Sequence, residues 1–457
     1  MNKFIEIDAE VTNAGITIKY LGKKYRINYP TNIWQKVPSS VKLALRDNLV
    51  LASTLHLPMV IPNIKGIQFS SGRPLLEPYF FQNFIMDIPS CTEVDGIDTG
   101  SAIQKFLQIE LNYLEPEIIH PGNFPVTDSY KALVGMSFGK DSLLTYAVAE
   151  ELELNPEMIY VVEQSLKYEE KHKTQLGLQF KKEFGKELHK LVHETGKLRD
   201  YEFMELPKSE FGWGLQNTEY ALELIPFAYT LQGKYIFFGN EQSAAVSYLD
   251  KTALWRIYPC YDQTHVWTTH INQITQLFTG RSVQTGSLIE PLMDIMIQRI
   301  LIRRYPEYAK YQMSCFTETE AGKDYRWCQE CSVCSKMYLL ASAGGMDPTR
   351  LGFTQNMLEL KNKHLFTLFG GKSALTYANT GLGRDEQLFN FYLASKKGIT
   401  DPLIENFKQS QLFEEAKERE EELYKTFCSI YESISVPKEL KSAVLSIYKE
   451  EIALFEV

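Results

Sequence analysis

The first chemistry legible in the chain lies in six residues, Ser137-Phe138-Gly139-Lys140-Asp141-Ser142. An apolar run over 132–136 stops there. A helix-like pattern then begins, with Leu143, Leu144, Ala147, Val148 and Leu152 on one side. Strand, short Gly-bearing turn and helix N-terminus together make a place for a phosphate. Backbone N–H groups point out of such a turn, and the helix dipole favours negative charge. Ser137 and Ser142 add hydroxyl donors, Lys140 adds a cation, and Asp141 is a carboxylate of the kind that holds Mg²⁺. The turn is too short for Gly-x-x-x-x-Gly-Lys-Ser/Thr, so it is not a Walker loop. Taken alone, the hexapeptide also reads as an ordinary capped helix start.

The second constellation is Cys328-Gln329-Glu330-Cys331-Ser332-Val333-Cys334, with Cys315 upstream. Four thiolates at this spacing suit tetrahedral Zn²⁺. Four protein ligands leave no open position, which makes such a site structural rather than catalytic. An iron–sulfur cluster is the rival, because it also takes four cysteines. Cys91, Cys260 and Cys428 bring the count to seven. An odd count with three cysteines clustered reads as a reduced compartment, not a secreted disulfide framework. His189 and His193 share a face at i, i+4. No further ligands are visible nearby, so they read as packed or surface histidines.

These residues need elements to hold them. From Ala132 onward strand-like and helix-like segments alternate: strands at 132–136, 158–162, 188–192 and 235–238, and helices over 169–184, 220–231 and 294–305. Buried strands separated by helices of this length predict an α/β core with a parallel sheet and flanking helices. Ligands of such sheets bind beyond the carboxyl ends of the strands. Ser137 to Ser142, Val162 with Glu163-Gln164-Ser165, and Gly239-Asn240-Glu241 all fall at such ends, so three polar strand ends are expected at one edge.

Residues 1–125 read as an α+β accessory domain. Short strands span 4–28, a helix over 41–51 is capped by Ser39-Ser40, and an aromatic strand-like stretch holds Tyr79-Phe80-Phe81 and Phe84-Ile85. The Pro/Gly stretch His120-Pro121-Gly122-Asn123-Phe124-Pro125 marks its end. The core then runs over 126–345. Residues 346–457 read as a mainly helical C-terminal region, with 414–427 as a charge-rich, solvated helical stretch. Gly370-Gly371-Lys372-Ser373 lacks the upstream glycine of a Walker loop and is set aside.

The chain has 457 residues, 44% apolar and 23% charged, an ordinary globular composition. Its formal net charge of −9 argues against a large nucleic-acid footprint, which needs clustered Lys and Arg. The first residues lack the layout of a signal peptide, and no run of about 18 apolar residues is long enough to span a bilayer. A cytoplasmic protein without membrane contact is expected.

Between the two constellations sits Glu290-Pro291-Leu292-Met293-Asp294-Ile295, entering the helix before the cysteines. The hexapeptide resembles the Ser-Gly-Gly-x-Asp-Ser loop of the ATP pyrophosphatases, with Phe138 in place of the first glycine. Joined to Pro291-Leu292-Met293-Asp294, Ser314-Cys315 and the Cys-x₂-Cys-x₂-Cys knuckle, it resembles the 7-cyano-7-deazaguanine synthases of that superfamily. The resemblance covers roughly residues 130–345. It implies a pyrophosphate-loop fold and ATP, Mg²⁺ and Zn²⁺ as cofactors. It also implies adenylation of the carboxylate of a 7-carboxy-7-deazaguanine, followed by attack of an amine. On it, Ser137, Phe138, Gly139, Lys140, Asp141, Ser142, Val162, Glu163 and Gly239 bind ATP, with Lys140 and Asp141 catalytic. Glu241 and Asp294 face the substrate, and Cys315, Cys328, Cys331 and Cys334 hold zinc.

The departures are Phe138, Ser335-Lys336 after the knuckle, and the long flanking regions. Long relatives with accessory domains occur in anti-phage systems and are thought to attach the deazaguanine to a partner protein through an amide. A protein from the same operon is therefore the expected acceptor, with ammonia as the alternative amine and a catalytically degenerate scaffold as the alternative role. A tRNA-modifying enzyme of the same superfamily is disfavoured by the negative charge.

Overall fold

The structure is a computed structural model that describes residues 3–122, 124–125, 130–164, 168–317 and 319–454. Asn123 of the boundary stretch and Ser165 of the second strand end lie outside them. The chain is α/β, built on a ten-stranded sheet flanked by helices. Its strands are β1 (Lys3–Val11), β2 (Gly15–Tyr20), β3 (Lys23–Asn28), β4 (Ile64–Gly72), β5 (Glu110–Glu115), β6 (Ala132–Gly135), β7 (Glu157–Glu163), β8 (Leu188–His193), β9 (Tyr235–Phe237) and β12 (Gln284–Gly286). A separate two-stranded pair is formed by β10 (Tyr248–Leu249) and β11 (Arg256–Ile257). The order in the large sheet is β12-β9-β6-β7-β8-β3-β2-β1-β4-β5. The first five strands are mutually parallel. β8 then meets β3 antiparallel through two residue pairs, Ile27 with His193 and Asn28 with Val192.

Period-two alternation explains why the central strands read as unbroken apolar runs. Val134, Met158 and Phe237 enter one core, while their neighbours Leu133, Ile159 and Ile236 enter the other. The first core is closed by the helices Lys140–Glu151, Asp294–Arg304, Ser332–Ala343 and Gly381–Lys396. The second is closed by Ser39–Thr54, Glu77–Asp95, Gln216–Leu231 and His265–Phe278. The N-terminal segment thus supplies strands β1 to β5 and packs its helices in the second core, while the C-terminal region packs in the first. Among the described residues no helix is long and apolar enough to cross a membrane.

Several expectations are corrected. Tyr79 to Ile85 are not strand but part of the Glu77–Asp95 helix, in which Phe80, Phe84 and Ile88 recur every four residues on the buried face. Aromatic β-propensity there is overridden by that packing. Ser39 and Ser40 do not cap the next helix. Pro38 occupies the cap position, and Ser40 Oγ donates instead to the Pro121 carbonyl at 2.8 Å. The stretch 414–427 is two helices, Gln411–Glu418 and Glu420–Phe427, which bury Ala416, Leu423 and Phe427. The His265–Phe278 helix was legible only in its Thr264 cap, whose side chain accepts from Trp267 N at 3.1 Å, and in Trp267, Ile271, Ile274 and Phe278 on one face.

The C-terminal region grips the Pro-Leu-Met-Asp segment. The buried Glu290 carboxylate accepts from the backbone N–H of Ile434 (3.0 Å) and Ser435 (2.7 Å), and Tyr431 N donates to the Pro291 carbonyl at 2.9 Å. Tyr448 Oη donates to the Leu288 carbonyl at 2.9 Å.

Candidate functional site

The carboxyl ends of β6, β7 and β9 meet at a cleft of about 600 Å³. The loop after β6 folds on itself. Ser137 N donates to Ser142 Oγ at 3.2 Å, Gly139 N to Ser137 Oγ at 3.3 Å, and Ser142 Oγ to the Gly139 carbonyl at 3.1 Å. The Lys140–Glu151 helix begins immediately afterwards with Gly139 as its cap. Ser137, Gly139, Lys140, Asp141 and Ser142 all line the cleft.

Phe138 does not line it. The residue takes φ +57°, the left-handed region that favours glycine, and its ring is fully buried, edge-on to Phe180 at 6.3 Å. Its carbonyl accepts from Met313 N at 2.7 Å, which ties the loop to the segment before Cys315.

At the end of β7, Glu163 lines the cleft, whereas Val162 is fully buried beside it on the opposite strand face. Gly239 lines the cleft where the chain after β9 crosses the loop. A Cβ there would stand 2.6 Å from Asp141 Cβ and 3.2 Å from Ser142 N, so only glycine lets the chain after β9 approach the start of the Lys140–Glu151 helix this closely. Glu241 accepts from Ser243 N at 3.0 Å as the cap of a short turn.

The cleft floor is a chain of alternating charges. Lys140 Nζ lies 2.5 Å from both Asp141 Oδ1 and Asp294 Oδ1. The other oxygen of Asp294 pairs with Lys336, whose Nζ is also 3.1 Å from Glu386 Oε2 and 4.9 Å from the Tyr377 ring centre. Burial disfavours ionisation of Asp294, but the Lys140 and Lys336 ammoniums overcome it and hold the carboxyl below its usual range. Burial pushes Glu241 well above the carboxylate range, with Asp294 adding repulsion. Burial raises Asp141 against the pull of Lys140. Burial also takes Glu386 up to about 7, although Lys336 opposes it. Four carboxyls, Asp141, Glu241, Asp294 and Glu386, thus face the two ammoniums of Lys140 and Lys336.

Sequence reading identified Lys140, Asp141, Glu241 and Asp294 but not Lys336, Tyr377 or Glu386. Lys336 had one local signal, a lysine opening the apolar stretch Met337-Tyr338-Leu339-Leu340-Ala341. Tyr377 and Glu386 come from the C-terminal region and had none.

A second buried network adjoins the cleft through Glu163. Tyr220 Oη donates to Glu163 at 3.1 Å, and Arg199 Nη1 to Glu219 at 2.5 Å. His193 Nδ1 is 2.6 Å from Glu223, and Arg199 Nη2 is 2.9 Å from His193 Nε2. Burial works against the imidazolium, and the surrounding carboxylates push His193 up to about 9. A guanidinium has only donors, however, so Nε2 accepts here and the ring is neutral in this arrangement. His189 lies 3.5 Å from Glu157.

The sulfurs of Cys315, Cys328, Cys331 and Cys334 all lie within 4.8 Å of one another, a group that could hold a metal ion such as zinc. A tetrahedron with Zn–S bonds of ~2.3 Å has S···S edges near 3.8 Å. Cys328 and Cys334 stand at 3.7 Å. Backbone N–H groups of Thr317 and Cys328 point at Cys315 Sγ (3.4 and 3.5 Å), and Cys334 N points at Cys331 Sγ (3.4 Å), donations that orient the sulfurs and stabilise thiolate charge. Cys331 caps the Ser332–Ala343 helix that carries Lys336. No model of a known protein family matches the chain, and no curated protein matches it either.

Proposed function

We propose that the protein is an ATP-dependent C–N ligase. It would adenylate the carboxylate of a 7-carboxy-7-deazaguanine and pass the acyl group to an amine of a partner protein from the same operon. The observation that carries this reading is the convergence of the 137–142 loop, Glu163 and Gly239 to Glu241 on one cleft whose floor is Asp141, Lys140 and Asp294.

In the first step a carboxylate oxygen attacks the α-phosphorus of ATP, and pyrophosphate leaves. In the second the amine nitrogen attacks the acyl carbon, AMP leaves with the bonding pair, and the nitrogen loses a proton. The chain's part is positional and electrostatic. The N–H groups of 137–142 and the hydroxyls of Ser137 and Ser142 receive the phosphates, and Lys140 offsets charge growing on them. Asp141 would hold Mg²⁺, which screens the leaving pyrophosphate, while Glu241 and Asp294 border the substrate. The flanking regions offer surface for a protein acceptor.

The test is release of pyrophosphate and AMP from ATP with 7-carboxy-7-deazaguanine. It should require both reactants and fall at least about 100-fold in Asp141→Ala. Intact-mass analysis of the neighbouring operon protein should show an added deazaguanine. Free nitrile formed with ammonia at ordinary turnover would instead favour small-molecule synthesis, and no turnover at all would favour a scaffold.

A further inference from the structure

Adenylating a carboxylate brings two anions into contact, the carboxylate and the α-phosphate. Their repulsion must be offset from two sides, because one ammonium offers three N–H groups and a compact charge. The cleft holds two such ammoniums bridged by one carboxylate. Lys140 stands on the loop side of Asp294, and Lys336 stands on the other side, carried by the helix that starts at the cysteine cluster.

Two observations separate Lys336 from an ordinary buried ion pair. It lines the cleft instead of being sealed from it. It is also placed by elements remote in sequence, with Asp294 from the segment after β12 and Glu386 at 3.1 Å from the Gly381–Lys396 helix. Two of its N–H groups are committed to those carboxylates, which leaves one for a ligand. The Tyr377 ring, over which Lys336 Nζ lies at 4.9 Å from the ring centre, also lines the cleft and backs that ammonium.

We infer that Lys336 receives the carboxylate of the substrate while Lys140 receives the phosphates, and that Glu386 is the positioning residue through which the C-terminal region holds Lys336 in place. This rests on the carboxylate-activating function proposed above. It gives the C-terminal region a defined part in the site: Tyr377 and Glu386 complete the substrate half of the cleft, opposite the phosphate half built by 137–142.

The test is steady-state pyrophosphate release by the full chain with ATP and 7-carboxy-7-deazaguanine varied separately. Lys336→Met should raise KM for the carboxylate about 10- to 100-fold, the range for losing a charge-assisted hydrogen bond, with KM for ATP within about twofold of wild type. Lys336→Arg should recover part of that loss. Glu386→Gln should raise the carboxylate KM about 3- to 10-fold by the same selective route. Zinc content and thermal midpoint report folding, and if Lys336→Met does not fold, Glu386→Gln decides. Wild-type turnover with an unchanged carboxylate KM in the folded variants would overturn this assignment alone. Absence of carboxylate-dependent pyrophosphate release from the wild-type protein would overturn the proposed function, and this with it.

Discussion

At Phe138 a backbone preference and a side-chain preference pull in opposite directions. Its φ of +57° costs a non-glycine residue about 1–2 kcal/mol, yet its ring is fully buried against Phe180. Burying a phenylalanine is worth more, since its removal typically costs about 3–5 kcal/mol. Phe138→Gly would supply the first glycine of the Ser-Gly-Gly-x-Asp-Ser loop and still destabilise the protein, by roughly 1–4 kcal/mol on those figures. Urea unfolding followed by tryptophan fluorescence measures this, and an unchanged or raised midpoint would refute it. Because the ring points into the core, phenylalanine at this position keeps the glycine-like turn without placing a side chain in the cleft. The departure from Ser-Gly-Gly-x-Asp-Ser therefore does not by itself argue for a degenerate loop.

Among the elements, the Ser332–Ala343 helix joins the cysteine cluster to the cleft, because Cys331 caps it and Lys336 lies in its second turn. Stripping bound metal with a chelator should release that cap and lower carboxylate-dependent turnover. It should also red-shift the emission of Trp327, which is buried next to Cys328 and stacked on Phe353 at 4.5 Å. Turnover and emission that both survive complete removal would show the cluster to be uncoupled from the cleft. The strands β6 to β9, the helices between them and the Asp294–Arg304 helix were legible in the sequence, as were the cysteines and the loop, whereas β10 to β12 and the His265–Phe278 helix were not read from it. Tyr79 to Ile85 misled because aromatic runs fit strands and helices alike until flanking positions decide. Glu386 was invisible for a different reason. Its partner Lys336 is fifty residues away in sequence, and nothing local distinguishes this glutamate from a surface one.

For the whole molecule, the joining of its parts is the controlling feature. His56, at the end of the Ser39–Thr54 helix, is fully buried and reaches the Leu198 carbonyl at 3.0 Å through Nε2, linking the N-terminal segment to the core. Burial pushes it down to about 4, so the folded protein holds the ring neutral. As pH falls through 6.5 the unfolded chain takes up the proton first, so this stabilising term is complete above about pH 6.5 and is lost toward pH 4. Between pH 7 and 5 the loss is about 2 kcal/mol. His56→Gln should flatten the pH dependence of the urea midpoint by that amount, and equal slopes in both proteins would refute the assignment. The seam between β3 and β8 carries this joining further. Only two residue pairs of backbone ladder cross it, against six between β7 and β8, while the second apolar core packs along both sides. Beside its two ladder pairs and the Arg26 N–H donated to Glu194 at 3.0 Å, cohesion at the seam rests more on apolar contact than cohesion between β7 and β8, and the two kinds of contact respond differently to temperature. The apolar share of the contact between the two halves of this sheet weakens on cooling, so low temperature loosens the hold of the N-terminal segment on the half that carries the cleft.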